Sequence, residues 1–170
     1  MNKWDGQIFI ESMKLNKNKT VLEIGVGTGR IAVKTAPLCK LLYGIDISPK
    51  TVCRAKINLQ NFNNTKIFCG YFLQFNFDTK FDVIYSSLTF MHIMEKEKSI
   101  KKVFNFLNLN GIFVLSIDKN QNEILNFGNR TIKIYPDDIN KTKTYISDSG
   151  LKISKVIETE FAYIIVAENK

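Results

Sequence analysis

The chain has 170 residues, of which 45% are hydrophobic and 12% aromatic, so it is long enough to bury one sizeable core. No apolar run approaches the roughly 20 residues that a transmembrane helix requires. The opening residues MNKWDGQIFI lack the apolar segment of a secretory signal. We therefore expect a soluble, cytoplasmic protein that folds as a single domain over residues 1–170.

The formal net charge of +8 raises the question of nucleic-acid binding. The lysines, however, are spread along the whole chain rather than clustered. Arginine, the usual reader of base edges, occurs only at Arg30, Arg54 and Arg130. We expect a solvated, lysine-rich surface, with neither a nucleic-acid nor a membrane partner.

The cysteines give no sign of a metal site or of a disulfide framework. Cys39, Cys53 and Cys69 are odd in number and form no CxxC pair, and the single histidine, His92, has no cysteine near it in sequence. We expect reduced thiols and no metal ion.

From Thr20 to about Leu115 the patterns of strands and helices alternate, which is typical of an α/β fold. Continuous apolar runs such as Thr20–Ile24 predict strands that are buried on both faces of a parallel sheet. The predicted strands are Thr20–Ile24, Leu41–Asp46, 66–69, 81–85 and 112–117, the last of them preceded by a turn at Asn110-Gly111. The predicted helices are 5–13, within an N-terminal segment 1–19, and 29–35, 49–60 and 95–107. Ser48 is the expected cap of the helix at 49–60.

The alternation changes in the last third of the chain. A short insert at 119–135 follows the fifth strand, and its residues 123–135 predict a hairpin that turns at Phe127-Gly128-Asn129. A helix is predicted at 136–149, ending at Gly150, and strands at 151–157 and 161–167. Because parallel strands need a long crossover, the last two strands are expected to be antiparallel.

These elements predict a doubly wound, Rossmann-like three-layer sandwich. Its sheet should have about seven strands, mostly parallel, with an antiparallel edge strand. In such sheets the ligand lies beyond the carboxyl ends of the strands, where the strand order reverses. The first strand ends in glycines, so that end of the sheet is the expected site.

Residues 21–33, VLEIGVGTGRIAV, carry Gly25, Gly27 and Gly29 between a strand and a helix. A dinucleotide fingerprint, G-x-G-x-x-G, would require glycine at position 30, where Arg30 stands instead. The phosphate-binding pattern G-x-x-x-x-G-K-[ST] is absent from the sequence. The glycine turn therefore predicts a ligand other than a dinucleotide or a nucleoside triphosphate.

Two acidic residues indicate the nature of that ligand. Glu23, two residues before the first glycine, is a poor neighbour for a pyrophosphate but suits a positively charged group. Asp46 ends the second strand, where a carboxylate can accept both hydroxyls of a ribose. The ligand should be a nucleoside without phosphates that carries a cationic portion, and S-adenosylmethionine fits this description.

The sequence resembles the class I S-adenosylmethionine-dependent methyltransferases from about residue 20 to residue 168. Four segments carry the resemblance in the expected order: VLEIGVGTG (21–29), GIDIS (44–48), FDVIYSSLTFMHI (81–93) and LNLNGIFVLSI (107–117). The first is similar to that family's glycine-rich motif and the second to its ribose-binding strand end. The third is similar to its fourth strand with the following loop, and the fourth to its turn into the fifth strand.

The resemblance implies roles for individual residues in binding S-adenosylmethionine. The three glycines would let the backbone approach the ligand without Cβ clashes. Glu23 would anchor the methionine end, and Asp46 would bind the ribose. Ile47 would pack on the adenine, and Ser86 and Ser87 would line the pocket past the fourth strand.

Tyr71 departs from the pattern of the family. Many members have an acidic residue there, which accepts a hydrogen bond from the adenine amino group. Tyr71 could stack on the adenine or use its hydroxyl, with the backbone N–H of Phe72 reaching the ring, or it could only pack under a loop.

The residues after the fourth strand bear on the acceptor. His92 is interpreted either as a general base or as a lining residue of the pocket, and Tyr85 and Thr89 are further pocket candidates. Family members that methylate base amino groups or glutamine amides carry Asn/Asp-Pro-Pro-aromatic where this chain has residues 86–89, SSLT, and no Pro-Cys motif for attack on cytosine is present. These features favour a small-molecule acceptor.

Two alternatives to a small-molecule methyltransferase stay open at this point. One is a protein or RNA methyltransferase of the same fold, and the other is a non-catalytic module that binds the cofactor. We expect a monomer or a homodimer, whose acceptor pocket is open or is completed by the second copy.

Overall fold

The computed structural model describes residues 4–128 and 130–170. The strands are β1 (Thr20–Ile24), β2 (Leu41–Asp46), β3 (Thr65–Cys69), β4 (Phe81–Ser87), β5 (Leu107–Asp118), β6 (Ile124–Phe127), β7 (Arg130–Lys133), β8 (Lys152–Glu158) and β9 (Ala162–Glu168). The helices are α1 (Gly6–Ser12), α2 (Ala32–Thr35), α3 (Pro49–Asn58), α4 (Lys96–Phe106) and α5 (Ile139–Asp148). Two 3₁₀ turns span Ala36–Leu38 and Phe90–His92.

Seven of these strands form one sheet in the order β3-β2-β1-β4-β5-β9-β8. The first five strands run parallel, while β9 is antiparallel to both β5 and β8. The predicted doubly wound sheet with an antiparallel edge is thus confirmed. From β1, the strands β2 and β3 follow on one side of the sheet, whereas β4 and the later strands lie on the other side. The strand order therefore reverses between β1 and β4.

The core has two parts, one on each face of the sheet, because successive strand residues point to opposite faces. Val21 and Val83 belong to one apolar cluster, together with Phe9 of α1. Leu22 and Ile84, their neighbours in sequence, belong to the other. This arrangement is the expected three-layer sandwich, in which parallel strands are covered on both sides.

Local signals in the sequence correctly predicted the start of α3 and the hairpin, whereas α5 begins at Ile139 rather than at residue 136. Ser48 caps α3 by accepting a hydrogen bond from the Thr51 N–H at 3.4 Å, and Pro49 is the first helical residue. The predicted hairpin is formed by β6 and β7, with Gly128 at φ +59° in its turn. Asn129, the other predicted turn residue, lies outside the described residues.

Strand β5 differs from the prediction, since it begins at Leu107 rather than at residue 112. Asn169, near the far end of the chain, accounts for the difference. Its backbone oxygen accepts from the Asn110 N–H at 2.6 Å, and its side-chain amide donates to the carbonyl oxygens of Leu107 and Asn108. The predicted Asn110-Gly111 turn is therefore an irregularity within the strand, with Asn110 at φ +62°.

The first helix after the glycine turn also differs from its predicted bounds. Helix α2 covers only Ala32–Thr35, and Pro37 continues the chain in a 3₁₀ turn at Ala36–Leu38 instead of following the end of the helix. Proline is compatible with the first residues of such a turn because its missing N–H is not needed there.

Candidate active site

A cleft of about 450 Å³ lies at the carboxyl ends of β1, β2 and β4, where the strand order reverses. Most of the residues predicted from the sequence line it: Glu23, Gly25, Gly27, Asp46, Ile47, Tyr71, Phe72, Ser87 and His92. Two predicted residues do not. Gly29 packs against α3, where a Cβ would contact Leu59 at 3.5 Å, and the buried Ser86 donates its hydroxyl to the Ile24 carbonyl at 2.9 Å.

The glycine turn forms the floor of the cleft. The N–H groups of Gly25 and Val26 donate to the Ile45 carbonyl at 2.8 and 3.0 Å, which ties the turn to the end of β2. Gly27 has φ +55°, and a Cβ built on it meets no protein atom within 4 Å. The turn thus leaves open space for a ligand against the backbone at residue 27.

Asp46 is held at the edge of this turn by two backbone donors. Its Oδ2 accepts from the Gly27 N–H and its Oδ1 from the Ser48 N–H, both at 2.9 Å. Each carboxylate oxygen can accept a second hydrogen bond. Asp46 can therefore receive two hydroxyl groups of a ligand without giving up the contacts that orient it.

Glu23 lies deeper in the cleft, with only 2% of its surface exposed. The Tyr85 hydroxyl donates to its Oε2 at 2.8 Å and lies 2.8 Å from Thr35 Oγ1. Burial raises the pKa of Glu23 to about 8, despite that hydrogen bond and the nearby Arg30 charge. Burial also raises the pKa of Tyr85 well above its ordinary value, so Tyr85 remains a donor. A cation entering the cleft would favour the ionised form of Glu23.

Arg30 and Asp5 form an ion pair beside the cleft that sequence reasoning did not predict. Arg30 Nη2 and Nη1 donate to Asp5 Oδ2 and Oδ1 at 2.7 and 3.4 Å, and Nη2 also donates to Ser87 Oγ at 3.1 Å. The Ser87 hydroxyl donates to Asp5 Oδ2 at 2.5 Å. Burial by itself would raise the pKa of Asp5, but the hydrogen bonds from Arg30 and Ser87 and the Arg30 charge hold it below its ordinary value.

His92 stands at the mouth of the cleft on the 3₁₀ turn Phe90–His92, with its side chain exposed. Desolvation lowers the pKa of His92 below its ordinary value and outweighs the Asp46 charge, which acts to raise it, while the charge of Lys96 adds to the lowering. The imidazole is therefore neutral near pH 7 and can accept a proton.

Contacts from the segment after β5 hold this turn in place. Lys96 Nζ donates to the Phe90 carbonyl and to Asp137 Oδ1, each at 2.6 Å. The Tyr135 N–H donates to the Met91 carbonyl at 2.7 Å. Tyr135, in the predicted insert, and Asp137, just after it, therefore help to fix the position of the turn that carries His92.

Tyr71 is half-buried on the cleft wall, directly after β3. Burial raises the pKa of its hydroxyl, and the nearby Glu95 charge raises it further. Tyr71 is therefore a neutral hydrogen-bonding group at physiological pH. Tyr85 and Thr89, the other pocket candidates, are placed differently: Tyr85 is fully buried beneath Glu23, whereas Thr89 lines the cleft.

Residues 4–128 and 130–170 form the described part of the chain. Within those ranges no group of three or more histidine, cysteine, aspartate or glutamate side chains is arranged to hold a metal ion. Nor does any helix in the same stretches combine the length and the apolar character that crossing a bilayer requires.

Comparison with known proteins gives the class to which this fold and site belong. Residues 15–161 match the model of a methyltransferase domain family. The structure also superimposes on a putative S-adenosylmethionine-dependent methyltransferase from Listeria monocytogenes with a TM-score of 0.84, at 18% identity, over 98% of this chain and 96% of that one.

Two curated relatives are similar in sequence. A putative methyltransferase of Bacillus subtilis is 28% identical over 120 residues, which are 68% of this chain and 67% of that protein. A putative protein N5-glutamine methyltransferase of Methanocaldococcus jannaschii is 39% identical over 104 residues, 60% of this chain but only 52% of that protein. This chain belongs to the methyltransferase domain family, and its fold is that of the class I S-adenosylmethionine-dependent enzymes.

Proposed function

We propose that this cleft binds S-adenosylmethionine and that the protein transfers its methyl group to a small-molecule acceptor. The observation that carries the proposal is the pair of acidic residues in one cleft. Asp46 is oriented by two backbone donors beside the open turn at Gly27, and Glu23 is buried in the same cleft. A ligand with ribose hydroxyls and a positive charge meets both groups.

The apolar part of the cleft suits the adenine ring. Ile47 is 67% exposed although it is a large apolar side chain, and it lines the cleft beside Asp46. Tyr71 and Phe72 line the same cleft from the end of β3. A planar ring placed among these side chains would remove apolar surface from water, which favours binding by roughly 25 cal/mol per Å².

When bound, S-adenosylmethionine supplies a methyl carbon that is activated by the positively charged sulfur. The protein then needs mainly to align the acceptor and to exclude water. Where the acceptor nucleophile carries a proton, the neutral imidazole of His92 can accept it, because the residue lies at the mouth of the cleft and has a lowered pKa.

A small-molecule acceptor fits both the size of the cleft and the residues at the end of β4. About 450 Å³ is within the range of sites for small ligands. The relative named as a protein N5-glutamine methyltransferase raises a protein acceptor as an alternative. However, residues 86–89 read SSLT, not the Asn/Asp-Pro-Pro-aromatic pattern associated with amide and base acceptors.

The cofactor part of the proposal is tested by thermal melts with S-adenosylmethionine, S-adenosylhomocysteine and NAD. A ligand at about 100 times its dissociation constant adds roughly 2.7 kcal/mol to the free energy of unfolding. For a chain of this size we expect the midpoint to rise by roughly 5–10 °C with the two sulfur ligands and not with NAD. No shift with either sulfur ligand would refute cofactor binding in this cleft.

The acceptor is tested with S-adenosylmethionine that carries a tritiated methyl group. A cell lysate is divided by dialysis into a small-molecule fraction and a macromolecular fraction, and each is incubated with the protein. We expect label to appear in a product of the small-molecule fraction. Label in protein or RNA alone would instead support the alternative acceptors.

A further inference from the structure

We propose that β3 is an interface for a second copy of this chain, with which it forms one continuous, two-fold symmetric sheet. Strand β3 (Thr65–Cys69) is the first in the order β3-β2-β1-β4-β5-β9-β8, so it has a neighbouring strand on one side only. The inference does not depend on the proposed cofactor or acceptor, and its tests measure association rather than catalysis.

Alternate residues of β3 carry backbone groups that are free to pair. On the β2 side, the Asn64 carbonyl accepts from the Leu42 N–H at 2.8 Å. Because the backbone groups of successive strand residues point to opposite sides in the plane of the sheet, those of Thr65, Ile67 and Cys69 point away from β2. Within residues 4–128 and 130–170 these outward N–H and carbonyl groups have no hydrogen-bond partner. They form a template to which another strand can add.

Antiparallel pairing of two copies about Ile67 would use all of these groups. Ile67 would face Ile67 of the second copy, and Thr65 would face Cys69 of the second copy, in both directions. Facing residues of this kind exchange both of their N–H···O bonds in an antiparallel ladder. Each of the three residues would donate once and accept once. The same surface is used on both copies, as a two-fold dimer requires.

Charge favours this register over its neighbours. In the pairing about Ile67, Lys66 of each copy lies opposite Phe68 of the other, so that a cation meets an aromatic ring. A pairing centred on Lys66 would oppose two lysines and leave the outward groups of Cys69 unused. A pairing centred on Phe68 would leave those of Thr65 unused. The register about Ile67 is therefore the one that is complementary both in charge and in hydrogen bonding.

The two edges of the sheet differ in how they are protected against pairing. The far edge, β8 (Lys152–Glu158), has an irregularity between Ile153 and Lys155 and carries charged residues along its length. Bulges and charges are features that keep edge strands from pairing. Strand β3 pairs with β2 without a register shift, and its charged residue, Lys66, lies back over the Tyr43 ring at 5.2 Å from the centroid. The edge of β3 is thus left uncovered.

Apolar surface borders β3 and would be covered by a second copy. A groove of about 720 Å³ runs along the strand, and its lining includes the apolar side chains Leu59, Phe62, Phe75 and Phe77. Ile57 of α3 follows Lys56, which also lines this groove, and is 49% exposed. A second copy paired at β3 would bring its own α3 to the same face of the joined sheet. Part of this apolar surface would then leave water, which favours association.

The competing explanation is that water satisfies the outward groups of β3 and that the chain is a monomer. Light scattering after size-exclusion chromatography separates the two, and we expect a mass twice that of the chain. Hydrogen exchange should show slow amides at Thr65, Ile67 and Cys69 in concentrated solution and faster exchange on dilution. A single-chain mass at about 0.1 mM protein, well above a micromolar dissociation constant, would overturn the inference.

Thr65→Pro removes an outward N–H and leaves the bonds with β2 in place. Proline is tolerated at the first residue of an edge strand, so the sheet should still form. By symmetry the variant loses this donor at two positions of the interface, and we expect the dissociation constant of the dimer to rise at least roughly tenfold. The matched control, Thr65→Ala, loses the same side chain but keeps the N–H and should remain a dimer. Equal association of the two variants would contradict the role of β3.

A cross-link tests the register in a chain that keeps its backbone donors. Thr65→Cys places a thiol opposite Cys69 of the second copy, where Cα atoms about 5.5 Å apart suit a disulfide. With oxidised glutathione as the oxidant, we expect a covalent dimer on non-reducing gels. Thr65→Cys/Cys69→Ser should not form it. A dimer in solution that fails to cross-link in this way would place the interface elsewhere and overturn the inference, even if Thr65→Pro does not fold.

Discussion

The side chain of Thr89 lies where the Cβ of any residue other than glycine at position 25 would have to stand, with Thr89 Oγ1 only 2.1 Å from that position. Gly25 also has φ +76°, a conformation that L-residues adopt at a cost of about 1 kcal/mol or more. Thr89 belongs to the loop after β4, and Gly25 to the turn after β1. This contact therefore sets how closely the two walls of the cleft approach each other.

Gly25→Ala should destabilise the protein and weaken cofactor binding. We expect a loss of at least about 2 kcal/mol, the sum of backbone strain and overpacking. That loss corresponds to a fall in the melting midpoint of roughly 4–8 °C. Thr89→Gly in the same chain should recover part of the loss, since even the Thr89 Cβ lies 2.7 Å from the added carbon. A midpoint equal to that of the wild type would contradict the steric argument.

Glu23 should make the folded protein less stable as the pH rises. Its pKa is raised from 4.5 to about 8 on folding, so between these values the folded state holds a proton that the unfolded state has released. The free energy of unfolding then falls with pH, by up to about 1.4 kcal/mol per unit from this group. Glu23→Gln, which cannot ionise, should lose this dependence.

The measurement for Glu23 is urea unfolding of both proteins from pH 5 to pH 8. The variant should gain stability relative to the wild type as the pH rises, because the other titrating groups contribute equally to both. A constant difference across this range would mean that the carboxyl of Glu23 is ionised in the folded protein.

Asp46→Asn should weaken binding of any ligand that presents ribose hydroxyls. We expect roughly a tenfold or larger loss of affinity for both S-adenosylhomocysteine and adenosine, because a charged acceptor becomes a neutral one. Titration calorimetry measures this, with Asp78→Asn, an exposed carboxylate outside the cleft, as the control. An undiminished affinity for adenosine would remove Asp46 from the ribose site.

Lys96 should matter far more to stability than Lys98, two residues away on the same helix. The Lys96–Asp137 pair is buried, with side-chain exposures of 13% and 1%, whereas the Lys98–Glu95 pair is open to water. Breaking a buried pair leaves an uncompensated charge, so Lys96→Met should cost about 3–5 kcal/mol.

Lys98→Met is the matched control, and exposed pairs of its kind contribute little. Denaturant unfolding measures both variants, and Lys96→Met/Asp137→Asn should recover part of the loss. Similar stabilities for the two single variants would show that the Lys96–Asp137 pair does not hold the turn that carries His92.

His92→Gln should leave cofactor affinity within about twofold but lower turnover where the acceptor must lose a proton. General bases typically contribute a factor of about 100 or more. The measurement is the pH profile of turnover with an acceptor found by the tritium experiment. The wild-type rate should fall below the lowered pKa of His92, and the variant should lose this limb of the profile. Unchanged turnover would assign His92 to the lining of the pocket.

Much of the fold followed from local patterns. The largely apolar segments Thr20–Ile24 and Leu41–Asp46 predicted two parallel strands with their observed bounds. The acids Glu23 and Asp46 could be assigned to the site because each lies next to a strand end whose position in such a sheet is known in advance. The hydrogen-bond partners of these acids could not be predicted in the same way, because nothing near Glu23 in sequence indicates that Tyr85 donates to it.

The start of β5 illustrates why other features could not be predicted. Residues 107–110 look like the end of a helix followed by a turn, and hydrogen bonds with Asn169 make them part of a strand. A contact over that separation leaves no periodic signal, because periodicity reports only the neighbours along one element.

The sequence by itself determined the order of the elements, the parallel sheet and the end of the sheet where the cleft lies, since these depend on hydrophobic patterns and on a glycine turn. Only the tertiary structure decided that Asp5 and Arg30 meet beside that cleft, and that Glu23 is buried deeply enough to raise its pKa. Ion pairing and desolvation depend on distances between residues that are remote in the chain, and those distances exist only once the sheet has been assembled.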